Sequence, residues 1–164
     1  MKEVKAKKHL GQHFLKDQGV AWDIVELLSL HQNYDTVLEI GPGTGVLTTK
    51  LLTKKEDYEL FTVEIDRESI KFLKEEAILD ETHIIQKSIL DFDFKDYFDK
   101  PFAIIGNLPY NISSPILFKV LENKDLIPEM VCMLQKEVAQ RIASPPKKKA
   151  YGILSVFLQA FYDI

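Results

Sequence analysis

Residues 36–45 read Thr36-Val37-Leu38-Glu39-Ile40-Gly41-Pro42-Gly43-Thr44-Gly45, a short run rich in branched side chains that breaks into three glycines at alternate positions. The first five residues predict a buried strand and the glycines a tight loop. Val46 to Leu52 behind them predict a helix. Strand, glycine loop and helix form the unit with which doubly wound α/β proteins hold nucleotides: glycine lets a ligand approach the backbone, and helix N-terminal amides supply donors.

The alternation continues on both sides. Upstream, Val20, Ile24, Val25, Leu27 and Leu28 share one helical face with Asp17 as N-cap, predicting a helix from about Val20 to Leu30. Downstream, strands are predicted at Glu59 to Glu64, His83 to Gln86, Phe102 to Gly106 and Met130 to Leu134. Helices are predicted from the cap Asp66 to about Ala77, from Ile116 to Leu121 and from Lys136 to Ala143. A loop from Pro145 to Lys149 precedes a last apolar segment starting at Tyr151. The fold class implied is α/β: a Rossmann-like, doubly wound, mainly parallel sheet with helices on both faces. With 164 residues, 46% hydrophobic and 28% charged, the chain is expected to form one domain around one core. Gly152 to Phe161 is strongly apolar, which reads as a piece of a longer protein whose later elements cover the open sheet edge.

Composition excludes several classes. Cys132 is the one cysteine, so no internal disulfide forms, and no Cys/His group has zinc-ligand spacing. A reducing, cytoplasmic location without export signal, membrane anchor or metal is expected, and a monomer. The net charge of −4 argues against a general polyanion binder. Two basic clusters depart from that average: Lys2, Lys5, Lys7, Lys8 and His9 at the N-terminus, and Lys147, Lys148 and Lys149 after Pro145-Pro146. Both are equally readable as solvated segments or as phosphate contacts, and phosphate binding would be strongly salt dependent. His31, His83 and Cys132 are read as structural.

Glu64 ends the second predicted strand nineteen positions after Gly45, where a carboxylate can accept the hydroxyls of a ribose. The glycine spacing is G-x-G-x-G after an acidic Glu39, whereas the dinucleotide fingerprint is G-x-G-x-x-G. No Walker-type Lys-Ser/Thr pair follows, which excludes ATP held by a P-loop; NAD is disfavoured. S-adenosylmethionine, which has no pyrophosphate to cradle, fits best.

Asn107-Leu108-Pro109-Tyr110 follows the strand ending at Gly106, on the ligand side of an open α/β sheet. The bland alternative is a turn. Chemistry explains the combination better. Adenine's exocyclic amine is a poor nucleophile because its lone pair is delocalised into the ring. Accepting its N–H bonds, through the Asn107 side-chain oxygen and the Leu108 carbonyl held by Pro109, shifts that nitrogen toward a tetrahedral geometry. Tyr110 offers a face on which the base can stack.

With those residues in view, the sequence resembles the small-subunit ribosomal RNA adenine N6,N6-dimethyltransferase family. The matching stretches are Lys8 to Leu15, Leu38 to Gly45, Val63 to Asp66, Asn107 to Pro115, Leu134 to Ala139 with Arg141, and Tyr151-Gly152 with Leu154-Ser155-Val156. The resemblance implies an enzyme that dimethylates two adjacent adenosines of small-subunit rRNA in the immature small ribosomal subunit, with S-adenosylmethionine as cofactor. It implies that the segment with Gln12, His13 and Leu15 closes over the methionine end of the cofactor. Glu39, Gly41, Gly43, Gly45, Glu64, Ile65, Ser88, Ile89 and Asn107 would complete the cofactor site, and Asn107 to Tyr110 would take the target adenine.

Two positions depart from the family pattern. His13 stands where the family usually has Asn, and Ser88 where it has the adenine-binding Asp, which implies weaker cofactor binding unless Asp91 substitutes. The resemblance implies that residues 1–164 are the methyltransferase domain, with the family's closing strands and small helical domain expected beyond them. Two other readings stay open: a large-subunit rRNA dimethyltransferase conferring antibiotic resistance, against which Leu108, Gly11 and Lys136 to Ala139 speak, and an assembly or transcription factor that keeps the fold mainly for RNA binding.

Overall fold

A computed structural model describes residues 4–30 and 34–164. Lys2 and His31 lie outside the described residues. Five parallel strands, β1 (Thr36–Ile40), β2 (Glu59–Glu64), β3 (Ile84–Gln86), β4 (Ala103–Asn107) and β5 (Glu129–Met133), form one sheet in the order β3-β2-β1-β4-β5. Among the described residues six α-helices accompany it: α1 (Gln18–Glu26) before β1, α2 (Val46–Leu51), α3 (Arg67–Glu75) and α4 (Ser113–Glu122) between strands, and α5 (Lys136–Ile142) and α6 (Ile153–Phe161) after β5. The order reverses between β1 and β4, so the loops leaving these two strands diverge and open a crevice at their carboxyl ends.

Alternation along each strand builds a core on each face. Leu38, Ile40 and Ile104 join Phe92, Phe94, Phe98, Phe102, Ile116 and Val120 on one side, while Val37, Ala103 and Ile105 meet Ala21, Val25, Leu47 and Leu51 of α1 and α2 on the other. Asp17 caps α1 by accepting from Gly19 N and Val20 N, and Asp66 caps α3 by accepting from Glu68 N. Helix α4 starts three residues before the expected Ile116, with Pro115 inside its first turn. No intrahelical partner exists for an N–H there, so proline costs no hydrogen bond. Strand β4 is shifted by one residue from expectation: Phe102 leaves the ladder for the aromatic cluster, its N–H donating to Leu126 O, and Asn107 becomes the last strand residue.

Gly106 sits where β4 presses against β1. A Cβ there would lie 2.7 Å from Ile40 O, a backbone atom fixed in the centre of the sheet. Gly106→Ala is expected to cost about 3 kcal/mol by forcing the two central strands apart. Urea unfolding measures it, and a loss under about 1 kcal/mol would mean that the β1–β4 contact is looser than this geometry.

Candidate active site

The carboxyl ends of β1, β2 and β4 bring Gly41, Glu64 and Asn107 around one half-open cleft of about 220 Å3. Gln12, His13, Gly43, Ile65, Ser88, Ile89 and Pro109 also line it. At Gly41 the backbone is left-handed, φ +65°, and no atom lies within 4 Å of where a Cβ would stand. That open space faces the cleft and fits a ligand in contact with backbone.

Glu64 is 5% exposed and accepts three backbone N–H bonds: Oε1 from Ile65 (2.9 Å) and Asp66 (2.8 Å), Oε2 from Gly43 (3.2 Å). A carboxylate offers about four lone-pair sites. One site, on Oε2, is therefore left for a ligand, and a grip on two hydroxyls requires the long Gly43 bond to yield. Burial pushes the Glu64 carboxyl above its usual range, opposed by the amides of Asp66, Gly43 and Ile65. Ile65 is half-exposed beside it and Ile89 buried, giving the cleft apolar walls suited to a flat ring.

Several residues lie beside the cleft rather than in it. Glu39 points to the α2 face of the sheet, 1% exposed, accepting from Thr48 Oγ1 at 2.7 Å. With Leu15 it borders a small cavity behind the glycine loop. Gly45 caps α2 and faces Leu73 and Ile78. Ser88 lines the cleft and caps a 3-10 turn, Ile89–Asp91, by accepting from Leu90 N, whereas Asp91 is exposed in a separate depression with Lys95 and Lys119. Leu108 is buried in the core and its N–H donates to Met133 O.

Burial raises the Glu39 carboxyl to about 8; the Thr48 hydroxyl opposes the shift and the charge of Glu64 adds to it. The folded pKa thus exceeds the ordinary 4.5, so between about 4.5 and 8 the native state holds a proton that the unfolded chain has released. Stability falls as pH rises through that window. Glu39→Gln has no such proton to lose, so its stability relative to the parent should rise by about 1 kcal/mol per pH unit there. Parallel urea-unfolding stabilities from pH 5 to 8 would show that Glu39 ionises normally.

A strap from Lys7 to Leu15 crosses the cleft and is tied at both ends. Lys7 Nζ pairs with Asp66 Oδ1 at 2.5 Å, and Gln12 Nε2 donates to Asp66 Oδ2 at 3.4 Å. Burial opposes it, but Lys7, Ser69 and Gln12 hold the Asp66 carboxyl below its usual range. At the other end Asn107 Nδ2 donates to His13 O at 2.7 Å, and Tyr110 N donates to Gly11 O at 3.3 Å. Phe14 packs against Gly43. From the sequence Asp66 reads as a helix cap, and its hold on the strap has no cue there beyond the opposite charge of Lys7 in the basic N-terminus. Asn107 Oδ1 is buried and has no hydrogen-bond partner among the described residues. With Nδ2 committed to the strap, the carboxamide presents an oriented, unsatisfied acceptor.

Among the described residues no helix is long and apolar enough to cross a membrane, and no group of three or more His, Cys, Asp or Glu side chains is placed to hold a metal ion. Burial in β5 pushes the Cys132 thiol up to about 12, and His83 pairs with Glu59 and packs on Phe61, far from the chemistry of the cleft.

Comparison with known proteins agrees with this architecture. The ribosomal RNA small subunit methyltransferase A of Cytophaga hutchinsonii is 56% identical over 164 residues, covering 100% of this chain and 63% of that protein. The protein of the same name from Flavobacterium johnsoniae is 53% identical, covering 99% of this chain and 62% of its own length. The chain thus spans about three-fifths of the length of these curated relatives. Among solved structures, a dimethyladenosine transferase from Plasmodium falciparum superposes with a TM-score of 0.71 at 30% identity, over 90% of this chain and 52% of that one. Residues 3–164, glycine loop, Glu64 and Asn107-to-Tyr110 turn included, match the ribosomal RNA adenine dimethylase family, and the chain belongs to that family.

Proposed function

We propose that the chain is the methyltransferase domain of an enzyme that transfers methyl groups from S-adenosyl-L-methionine to the exocyclic N6 of two adjacent adenosines in small-subunit rRNA. Its substrate is then the immature small ribosomal subunit in the cytoplasm, and its role ribosome biogenesis. The observation that carries this reading is Asn107 Oδ1: a buried acceptor without a partner among the described residues, aimed by the Nδ2–His13 bond, at the end of a central strand beside the cleft.

S-adenosylmethionine, when bound, supplies a methyl group activated by a positive sulfur. The chain supplies position. Glu64 would accept from the ribose, Gly41 leaves room for close backbone approach, and Ile65 and Ile89 would flank the adenine ring. Asn107 Oδ1 and the Leu108 carbonyl would accept from the target amine, holding its lone pair toward the methyl group, with Tyr110 against the base. No side chain of shifted pKa is required as base, since the amine's proton leaves to water after transfer; alignment carries the acceleration. The target base must leave any helical stack to reach the site.

Calorimetric titration with S-adenosylhomocysteine, with NAD as control, tests the cofactor, and methyl transfer to unmethylated small subunits tests the acceptor. Binding of NAD alone would sink the proposal. Ser88 lines the cleft with a neutral hydroxyl, and a carboxylate there would accept a stronger bond from the cofactor's amino group. Ser88→Asp is accordingly expected to tighten S-adenosylhomocysteine binding by about threefold to tenfold; no gain would place the adenine elsewhere.

A further inference from the structure

One face of Tyr110 is already taken. The imidazole of His13 lies against its ring, centroids 4.2 Å apart and planes inclined by 18°. His13 is exposed and lines the cleft; Tyr110 is half-buried and does not. The strap backbone on either side of the imidazole is pinned to the turn, through Asn107 Nδ2 to His13 O and Tyr110 N to Gly11 O. No hydrogen bond to either imidazole nitrogen is found among the described residues; the stack on Tyr110 is the ring contact recorded for His13, and the ties of the strap run through its backbone, not through the imidazole.

We propose that His13 is a placeholder for the target adenine: its imidazole occupies the face of Tyr110 that the base takes, so base entry exchanges one stacked ring for another. This rests on the assignment of Asn107 to Tyr110 as the acceptor site. The geometry favours exchange because one base must satisfy both groups. Under that assignment the base whose amine Asn107 Oδ1 accepts also stacks on Tyr110, three residues on, and His13, whose carbonyl orients that same carboxamide, lines the cleft and covers a tyrosine that does not. The consequence is selectivity. Opening the stack costs the same for any base, but a purine covers more of the tyrosine ring than an imidazole does, and a single-ring pyrimidine gains little. His13 also keeps the Tyr110 ring oriented before the base arrives.

Proton NMR of the imidazoles tests this on the chain as it stands, because it has four histidines, His9, His13, His31 and His83, whose signals are assigned by substitution. With S-adenosylhomocysteine present, the His13 ring protons are expected upfield of their position in Tyr110→Leu, shifted by the tyrosine ring current. Adenosine should move them to the unstacked position. His13→Ala should bind adenosine about threefold to tenfold more tightly, since no ring has to be displaced. If adenosine leaves the signals upfield, or His13→Ala binds it more weakly, the imidazole is part of the platform and the exchange is refuted. If Tyr110→Leu leaves adenosine binding unchanged with either residue at 13, the acceptor-site assignment itself fails and the placeholder falls with it.

Discussion

Asn107→Ala is expected to lower methyl transfer about a thousandfold while leaving S-adenosylhomocysteine affinity within about threefold of the parent. Two losses combine. The variant removes the acceptor, buried and without a partner among the described residues, that would orient the amine's lone pair, and it removes the Nδ2 donor that ties His13 O to the turn. Asn107→Asp separates them: it keeps an acceptor oxygen but sets a carboxylate against the His13 carbonyl. If orientation of the amine dominates, the aspartate variant retains more activity than alanine; if the strap tether dominates, both fall alike. Single-turnover transfer to unmethylated small subunits, with cofactor affinity measured in parallel, decides it. An alanine variant within tenfold of the parent would remove Asn107 from the chemistry.

How much of this was legible beforehand follows from the range of the interactions involved. Strands β1 and β2 have the limits that the runs Thr36 to Ile40 and Glu59 to Glu64 predict, because branched residues bounded by glycine or a capping Asp leave little choice. Their carboxyl ends, with that of β4, fix Gly41, Glu64 and Asn107 around one cleft, a consequence of parallel topology that alternation alone carries. Glu39 was not legible in the same way. The resemblance groups it with the cofactor residues, but its strand position sends it to the α2 face, and only the pairing of helix and sheet shows that its partner is Thr48. The strap was equally hidden: Lys7 meets Asp66 across 59 positions of sequence, and no local periodicity records such a pair. Nor does any pattern say that His13 and Tyr110 stack, since both belong to irregular segments brought together by the Gly11 and Asn107 hydrogen bonds.

Glu64→Ala should reduce S-adenosylhomocysteine affinity by about a hundredfold or more, because it removes both the ligand's acceptor and the carboxylate that organises the loop around it. In the parent, three amides converge on this side chain, Gly43, Ile65 and Asp66; in the variant all three lose their acceptor at the edge of the cleft. Some stability must go with them. Glu64→Gln distinguishes loop from ligand: it keeps one carbonyl oxygen for Ile65 and Asp66 but turns an NH2 toward Gly43 N–H and the ribose. A glutamine variant that keeps the parent's stability yet loses the ligand marks the charged acceptor as the decisive part, whereas equal losses in both properties mark the loop. The pH dependence supplies an independent sign. Burial raises the Glu64 carboxyl, so as pH falls the group takes up its proton earlier than an ordinary glutamate and surrenders the acceptor that the ribose hydroxyl needs. Cofactor affinity should therefore decline on acidification in the parent and lose that dependence in Glu64→Ala. If parent and variant decline together, another group governs the acid limb and Glu64 does not hold the ribose.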